Sequence, residues 1–394
     1  MIKLIRKTAT IVAILSPLLN MYGLTEQLHT FTYREVFFII VILLVILTMF
    51  AFKTIKTNSN YSLLLYIFAI IISLSFNIFM DEYSSILRTL RYLLILLFIY
   101  SVAQNFFDKE LAIKTYKYMV LFAAIFLIFQ AISANLFNYE LKGYISFLPL
   151  RSLDLGQSNG LVRFYSIFEE PGYFGMISSA YLLIVLLENK TNIIEVFIIT
   201  LASLLSTANT SIVLVVFVFT QFAVNKLHII KIKLSLANIV KSSVVIVVLV
   251  TTVILFIMSP QYETVMSRID LGISVERRFT GYFDFVSTFS EHNLIQKVVG
   301  NSMEVYPIGG YAALILSFGI LGASTFAIFL TDIFIKTNII GKNIIILFLF
   351  INIANVEIFG NASTIIIQIL FVFTYIQENN YRKVIKHEIY NRIR

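Results

Sequence analysis

No cysteine occurs in the 394 residues, which excludes a disulfide framework, a thiolate nucleophile and a cysteine-type metal site. Histidine is scarce, and the four present are too scattered to form a His-based metal cluster. No Walker loop, H-E-x-x-H or G-x-S-x-G is found. Charged residues make up only 13% of the chain. The apolar runs are continuous and do not alternate, which sets strands aside. The basic-then-apolar start, MIKLIRKTATIVAILSPLLNMYGL, lacks a small-residue cleavage site of the A-x-A kind and is read as an uncleaved first span. With no internal repeat and no linker, the chain reads as one integral-membrane domain, 1–394.

What the chain has is apolar length. It is 59% hydrophobic, with a mean hydropathy of +0.88, and several runs approach the roughly twenty residues that cross a bilayer. In hydrocarbon every backbone polar group must be paired within the chain, which leaves helices or a closed barrel. Continuous runs select helices, so the expected fold is all-α: a polytopic membrane helix bundle. Spans are expected near 9–24, 36–52, 61–80, 86–107, 117–137, 172–187, 193–206, 210–225, 240–258, 307–331, 343–358 and 361–377, twelve in all. The stretch 193–225 reads as one over-long helix or as two short ones turning at Ser206-Thr207-Ala208-Asn209-Thr210-Ser211. The placement of positive charge favours the pair. With a turn there, two thirds of the 30 basic residues fall on the N-terminal side of the membrane, including Lys226, Lys231, Lys233 and Lys241 and the tail from Arg382 to Arg394. A single helix puts the Lys226 to Lys241 cluster and the short loop after 331 on conflicting sides. Both termini are then cytoplasmic.

Ten basic residues face outward: Arg34, Arg88, Arg91, Lys142, Arg151, Arg163, Arg268, Arg277, Arg278 and Lys297. Eight are arginine, whereas the inward set holds four arginines and sixteen lysines. Orientation needs only positive charge, and lysine supplies it, so the outward arginine bias has another cause. A guanidinium fork binds phosphate and carboxylate bidentately and tolerates partial burial better than an ammonium does. The outer face reads as built for an anion. Two long external loops are expected, 138–171 and 259–306. The first carries GYISFLPL, an amphipathic piece suited to the interface, followed by LGQSNG. The second carries VERRFTGYFDFVSTF, where Arg278, Tyr282, Phe285 and Phe289 fall on one helical face. Four of the five prolines (Pro149, Pro171, Pro260 and Pro307) lie on this outer side, as expected for functional loops over a helical scaffold.

The chain is organised around RFYSIFEEPGYFG, Arg163 to Gly175. A residue before proline is pushed out of helical geometry and proline favours the first helical turn. Pro171 is therefore expected to open a helix with Glu170 at its N-cap, the carboxylate held by the helix's unbonded N–H groups. Glu170 then reads either as a catalytic carboxylate or as a simple cap, and Arg163 as its salt-bridge partner or as an anion ligand. Arg88 and Arg91 share one helical face and must meet protein or water; they read as ligands of an anion, as partners of Asp81 or Glu82, or as snorkelling side chains. Arg151, Arg268, Arg277 and Arg278 are candidate anion ligands or solvated loop charges. His292, beside Asn293, reads as a proton acceptor or a surface histidine. Asn352, Asn355 and Glu357 mark the outer half of the eleventh span as facing protein or a cavity.

At RFYSIFEEPGYFG the chain resembles the Wzy-type polymerases of polysaccharide repeat units, relatives of the O-antigen ligases. Members of that group carry an arginine and then an F-x-E-P-like turn opening a central span. LLSTANTSIVLVV resembles the short hairpin after that span. YPIGGYAALILSFGILGAS resembles the span closing the large external loop, with Gly319 and Gly322 in its G-x-x-G ending. The resemblance covers roughly residues 160–325. Two departures are plain: Pro307-Ile308-Gly309-Gly310 stands where ligases show a His-Asn pair, and STANTS lacks the arginine often found in the hairpin.

The resemblance implies a membrane glycosyltransferase of the bacterial cytoplasmic membrane. It would join undecaprenyl-diphosphate-linked oligosaccharide units on the outer face, for O-antigen or capsule, without metal or cofactor. Glu170 and Arg163 would be catalytic, with Arg88, Arg91, Arg151, Arg268, Arg277, Arg278 and Tyr282 binding substrate. The implied partners are lipid-linked oligosaccharides, membrane lipids, and a chain-length regulator and flippase of the same pathway, with no nucleic acid. The rival readings are a ligase-like glycan transferase, weakened by the missing His-Asn pair, and a flippase. The flippase reading requires related halves and charge on both sides of the midplane.

Overall fold

The computed structural model describes residues 1–23, 32–51, 60–78, 83–103, 105–139, 141–143, 157–158, 161–162, 164, 166–168, 170–190, 192–206, 208–229, 284–301, 310–354, 359 and 363–393. Eleven of the twelve expected apolar segments are helices: α1 (Ile2–Leu19), α2 (Tyr33–Ala51), α3 (Tyr61–Asn77), α4 (Tyr83–Ala103), α5 (Lys109–Phe137), α6 (Pro171–Leu187), α7 (Ile193–Leu205), α8 (Asn209–Ile229), α10 (Gly310–Lys336), α11 (Ile339–Ala354) and α12 (Thr364–Ile393). The short α9 (Leu294–Val299) precedes α10, and 240–258 lies outside the described residues. Four helices, α2, α4, α5 and α10, are long and apolar enough to cross a membrane, and α3, α6, α7, α8 and α11 contain shorter apolar stretches. The stretch 193–225 is two helices: α7 stops at Leu205, where the Ser206 hydroxyl donates to the Ser203 carbonyl at 2.7 Å.

Several features differ from expectation. The first helix begins at Ile2, because Lys3, Arg6 and Lys7 extend it; the Arg6 guanidinium donates to the Phe107 carbonyl at 3.1 Å. The last helix continues to Ile393, since backbone hydrogen bonding persists where hydropathy falls. Strands were not expected, yet Gln157–Ser158 pairs antiparallel with Leu161–Val162 between α5 and α6.

The chain forms two compact units. The first comprises Met1–Ile113 and Glu276–Arg394. Its core is aromatic: Tyr66 on α3, Tyr92 on α4 and Phe318, Phe326 and Phe329 on α10 pack ring against ring, with Phe348, Phe359 and Phe373 adjoining. The two buried tyrosine hydroxyls satisfy each other at 2.7 Å, as polar tips inside an apolar core must. Within α1, Pro17 cannot donate to the Ala13 carbonyl, and the Ser16 hydroxyl takes that place at 2.7 Å.

Helix α10 is broken at Gly319, whose φ of 63° and ψ of −170° only glycine adopts readily. A Cβ there would strike the Val298 carbonyl, and one on Gly300 (φ 84°) would strike the Ser317 carbonyl. Two glycines thus let the end of α9 lie backbone to backbone on the break, where Asn301 N–H donates to the Leu316 carbonyl at 2.9 Å and the Asn77 amide to the Gly300 carbonyl at 3.2 Å. The break is sharp. Phe326 packs on Phe348 with ring centres 6.3 Å apart, and on a straight helix Tyr311 would lie about 22 Å from Phe326. Yet the Tyr311 hydroxyl donates to the carbonyl of Leu349, beside Phe348, at 2.7 Å. The half-helix Gly310–Phe318 thus reaches α11 through Tyr311, and Phe285 and Phe289 of the segment before α9 pack on its Ala312 and Leu316.

The second unit, Lys114–Val275, is built on α6. That helix is buried without interruption from Phe174 to Leu186. It meets α8 where Gly175 lies against Ser211, with no room for a Cβ. It meets α5 where the Tyr116 hydroxyl donates to the Ile177 carbonyl at 2.6 Å, and α7 through Ser178 and Ser203, 3.2 Å apart. Lys117 on α5 pairs with Glu195 on α7.

Candidate functional site

In the second unit, Pro171 opens α6 and Glu170 is its N-cap, with extended backbone (φ −137°, ψ 148°) and a carbonyl that accepts from Tyr173 N–H at 3.1 Å. The expectation that helix N–H groups hold the Glu170 carboxylate is corrected: its side chain makes no capping hydrogen bond, and the residue is exposed. Capping favours Asn, Asp, Ser and Thr, whose oxygen stands close to the backbone, and glutamate is not among them. The bland reading of Glu170 as a side-chain cap is thereby removed.

The approach to Glu170 is anchored. Phe164 and Phe168 are buried, and the Phe168 ring lies 6.3 Å from that of Phe174, inside α6. Between them Ser166, wholly buried, has a φ of 58°, in the left-handed region that L-residues seldom occupy. Its N–H donates to Gln130 Oε1 at 2.8 Å, and its hydroxyl to the Ala123 carbonyl at 2.5 Å. Gln130 Nε2 in turn donates to the carbonyls of Leu141, at 2.8 Å, and Ser166, at 3.4 Å. One amide on α5 therefore holds both flanks of the segment between α5 and α6.

In the first unit a buried ionic cluster joins the ends of α1, α2 and α12 to Arg91 inside α4. Glu35, in the first turn of α2, accepts from Thr32 N–H (2.7 Å), from the Thr32 hydroxyl, from Arg34 Nε and Nη2 (2.9 and 2.7 Å) and from Arg91 Nε (2.7 Å). Arg34 Nη1 reaches the Ser363 hydroxyl at 2.7 Å, just before α12, and Arg91 Nη2 reaches the Asn20 side chain at the end of α1. Arg34 and Glu35 are 0% exposed and Arg91 6%. Every oxygen of Glu35 is engaged by donors, so this carboxylate is a structural node with no lone pair in reserve for a substrate proton.

Compared with protein-family models and with curated proteins, the chain matches none. The site is therefore built from its own residues.

Of the expected site residues, Glu170, Arg88 and Arg91 fall among those described. Arg88, one helical turn before Arg91, is partly exposed. Arg91 is spent on Glu35 and Asn20, and the expected partners Asp81 and Glu82 lie outside the described residues. Arg151, Arg163, Arg268, Arg277, Arg278 and Tyr282 lie outside the described residues, as do Glu169, Asn355 and Glu357. Asn352 is buried and donates to the Phe348 carbonyl one turn back, at 2.8 Å. His292 stands beside the Phe289 ring. Among the described residues no three histidine, aspartate or glutamate side chains gather as a metal site would require.

Sequence reasoning missed Gln130, Ser166 and the pairing of Glu35 with Arg91. A signal existed for two of them. Gln130 is a lone amide in the apolar run LFAAIFLIFQAI, and a carboxylate beside an arginine at the start of an apolar helix, as in Glu35, needs burial partners.

Proposed function

We propose that this protein polymerises lipid-linked oligosaccharide repeat units at the outer face of a bacterial cytoplasmic membrane, as a Wzy-type enzyme with twelve spans and both termini cytoplasmic. The observation that carries the reading is the Glu170 carboxylate. It is exposed, not spent on capping its helix, and stands at the mouth of an apolar helix on a strap fixed from α5. The outward bias of arginine over lysine supplies the matching cations for a diphosphate.

In this reading a sugar hydroxyl of one lipid-linked unit attacks the anomeric carbon of the growing, lipid-linked chain. The new C–O bond forms as the bond to the diphosphate oxygen breaks, and undecaprenyl diphosphate leaves with the electron pair. Glu170 takes the hydroxyl proton. A diphosphate leaves without being protonated once its developing charge is stabilised, which fixed arginines do. A single base therefore suffices, whereas a typical glycosidase uses two carboxylates. Arg163, with Arg268, Arg277 or Arg278, would bind the diphosphate. A chain-length regulator and a flippase would be its partners.

A deletion strain tests the class. Loss of a polymerase leaves single repeat units on lipid carrier or surface. Long lipid-linked polymer would instead indicate a ligase, and units trapped on the cytoplasmic side a flippase. Topology is tested in this cysteine-free chain by single substitutions: Ser158→Cys and Ser290→Cys should react with a membrane-impermeant maleimide from outside, and Asn58→Cys should not. Labelling at position 58 alone would invert the proposed orientation.

A further inference from the structure

The strap that carries Glu170 is secured in a way that gives Gln130 a role in the reaction. Gln130 is 2% exposed on α5, and its amide is fully used: Oε1 accepts from Ser166 N–H, while Nε2 donates to the carbonyls of Leu141 and Ser166. Leu141 lies just after α5 and Ser166 just before α6, so this one side chain closes the base of the outer loop between them. The closure costs backbone strain, since Ser166 holds a φ of 58° with no glycine to ease it. Non-glycine residues keep such conformations only where the surroundings over-determine them, and they concentrate at functional sites. Here the surroundings are the Gln130 amide, the Ala123 carbonyl and the two buried rings of Phe164 and Phe168. Glu170 follows Ser166 by four residues, a tether of about 13 Å at full extension. Phe168, seated against Phe174, pins the middle of that tether.

We infer that Gln130 and Ser166 are positioning residues that hold the Glu170 carboxylate in its working place, without touching substrate themselves. The role in turnover rests on the polymerase reading above; the mechanical claim that Gln130 secures the strap does not. Leucine at 130 keeps the volume and removes all three hydrogen bonds. A strap so released moves its carboxylate by an ångström or more, a misplacement that costs about 10²-fold in rate.

The experiment has two arms. In the mechanical arm, Phe168→Cys or Phe164→Cys, each buried in the native strap, is labelled with a maleimide in detergent, and exchange of the Ser166 amide is followed by mass spectrometry in the chain without added cysteine. Gln130→Leu should raise labelling about tenfold or more and deprotect the Ser166 amide, as the loss of several net-favourable hydrogen bonds implies. Ser166→Gly keeps the N–H bond to Gln130 and loses the hydroxyl bond to Ala123, a loss offset by adopting positive φ without strain, so it should stay near wild type. Ser166→Val, β-branched where φ is positive, should behave like Gln130→Leu. Gln130→Glu retains the acceptor and loses both donors, so it should fall between and serves if the leucine variant does not accumulate.

In the catalytic arm, the rate of polymer formation at matched folded protein should fall about 10²-fold for Gln130→Leu and Ser166→Val, and hold for Ser166→Gly. Unchanged labelling and exchange in Gln130→Leu would overturn the mechanical claim. A released strap with an unchanged rate would overturn the positioning claim while Glu170→Gln still abolished activity. If Glu170→Gln itself polymerises normally, the catalytic assignment falls, and the labelling arm alone still decides whether Gln130 secures the strap.

Discussion

Glu35 and Glu170 each stand at the start of an apolar helix, and the chain uses them in opposite ways. Glu35, in the first turn of α2, is wholly buried and gripped by Thr32, Arg34 and Arg91. Glu170, before α6, is exposed, and its side chain makes no capping hydrogen bond to that helix. A carboxylate surrounded by donors fastens α2 and α4 together and, through Arg34 and Arg91, the ends of α12 and α1. An exposed carboxylate at a helix mouth is within reach of solvent and can exchange a proton. Position relative to a helix start therefore does not separate a structural acid such as Glu35 from one proposed for chemistry such as Glu170; burial does, since the first is buried and the second exposed.

The largest expected effect is at the buried member of the pair. Glu35→Ala leaves two guanidiniums buried without their shared carboxylate, and breaking a buried ion pair in this way costs about 3 to 5 kcal/mol. The folded protein should largely disappear from the membrane and the purified remainder should melt early. Normal abundance and melting would show that Glu35 is not the node described. Next comes Arg163. If its fork grips a diphosphate, Arg163→Lys should fail nearly as badly as Arg163→Ala in polymer formation while both accumulate normally, because lysine keeps the charge and loses the bidentate geometry. Rescue by lysine would demote Arg163 to a balancing charge. Smaller again is Gly175→Ala, which pushes a methyl into Ser211 and should cost about 1 to 3 kcal/mol of overpacking, read as a lowered melting temperature with turnover per folded molecule unchanged. The smallest expected effect is that of EDTA: polymerisation should continue at the untreated rate, and a loss restored by added divalent cation would contradict a metal-independent step.

The helices were legible in the sequence because each is a continuous apolar run, and hydropathy registers exactly that property at every position. Their ends were less so. α1 starts among Lys3, Arg6 and Lys7, and α12 continues through a polar tail, since backbone hydrogen bonding does not stop where hydropathy falls. The break at Gly319 was hidden, because a glycine inside an apolar pattern reads as helix unless one knows that Val298 and Gly300 will press against it. At the site, the helix opening at Pro171 followed from local rules, whereas Gln130 meeting Ser166 and Arg91 meeting Glu35 are contacts between residues far apart in sequence. Arg34 shows the cost of reading charge alone. It was counted with the outward arginines, yet it is fully buried against Glu35, Ser363 and the Phe38 ring.

The central claim, that the exposed carboxylate is the chemical one, is tested most directly by Glu170→Gln in the purified, reconstituted protein supplied with lipid-linked repeat units. Polymer growth and thermal melting are followed side by side. The account predicts a melting curve superimposable on that of the wild type, since the side chain does no capping, together with a rate lower by about 10² to 10⁴ from loss of the proton acceptor. Wild-type polymer growth by Glu170→Gln, or a loss of activity that merely tracks a loss of folded protein, would contradict it.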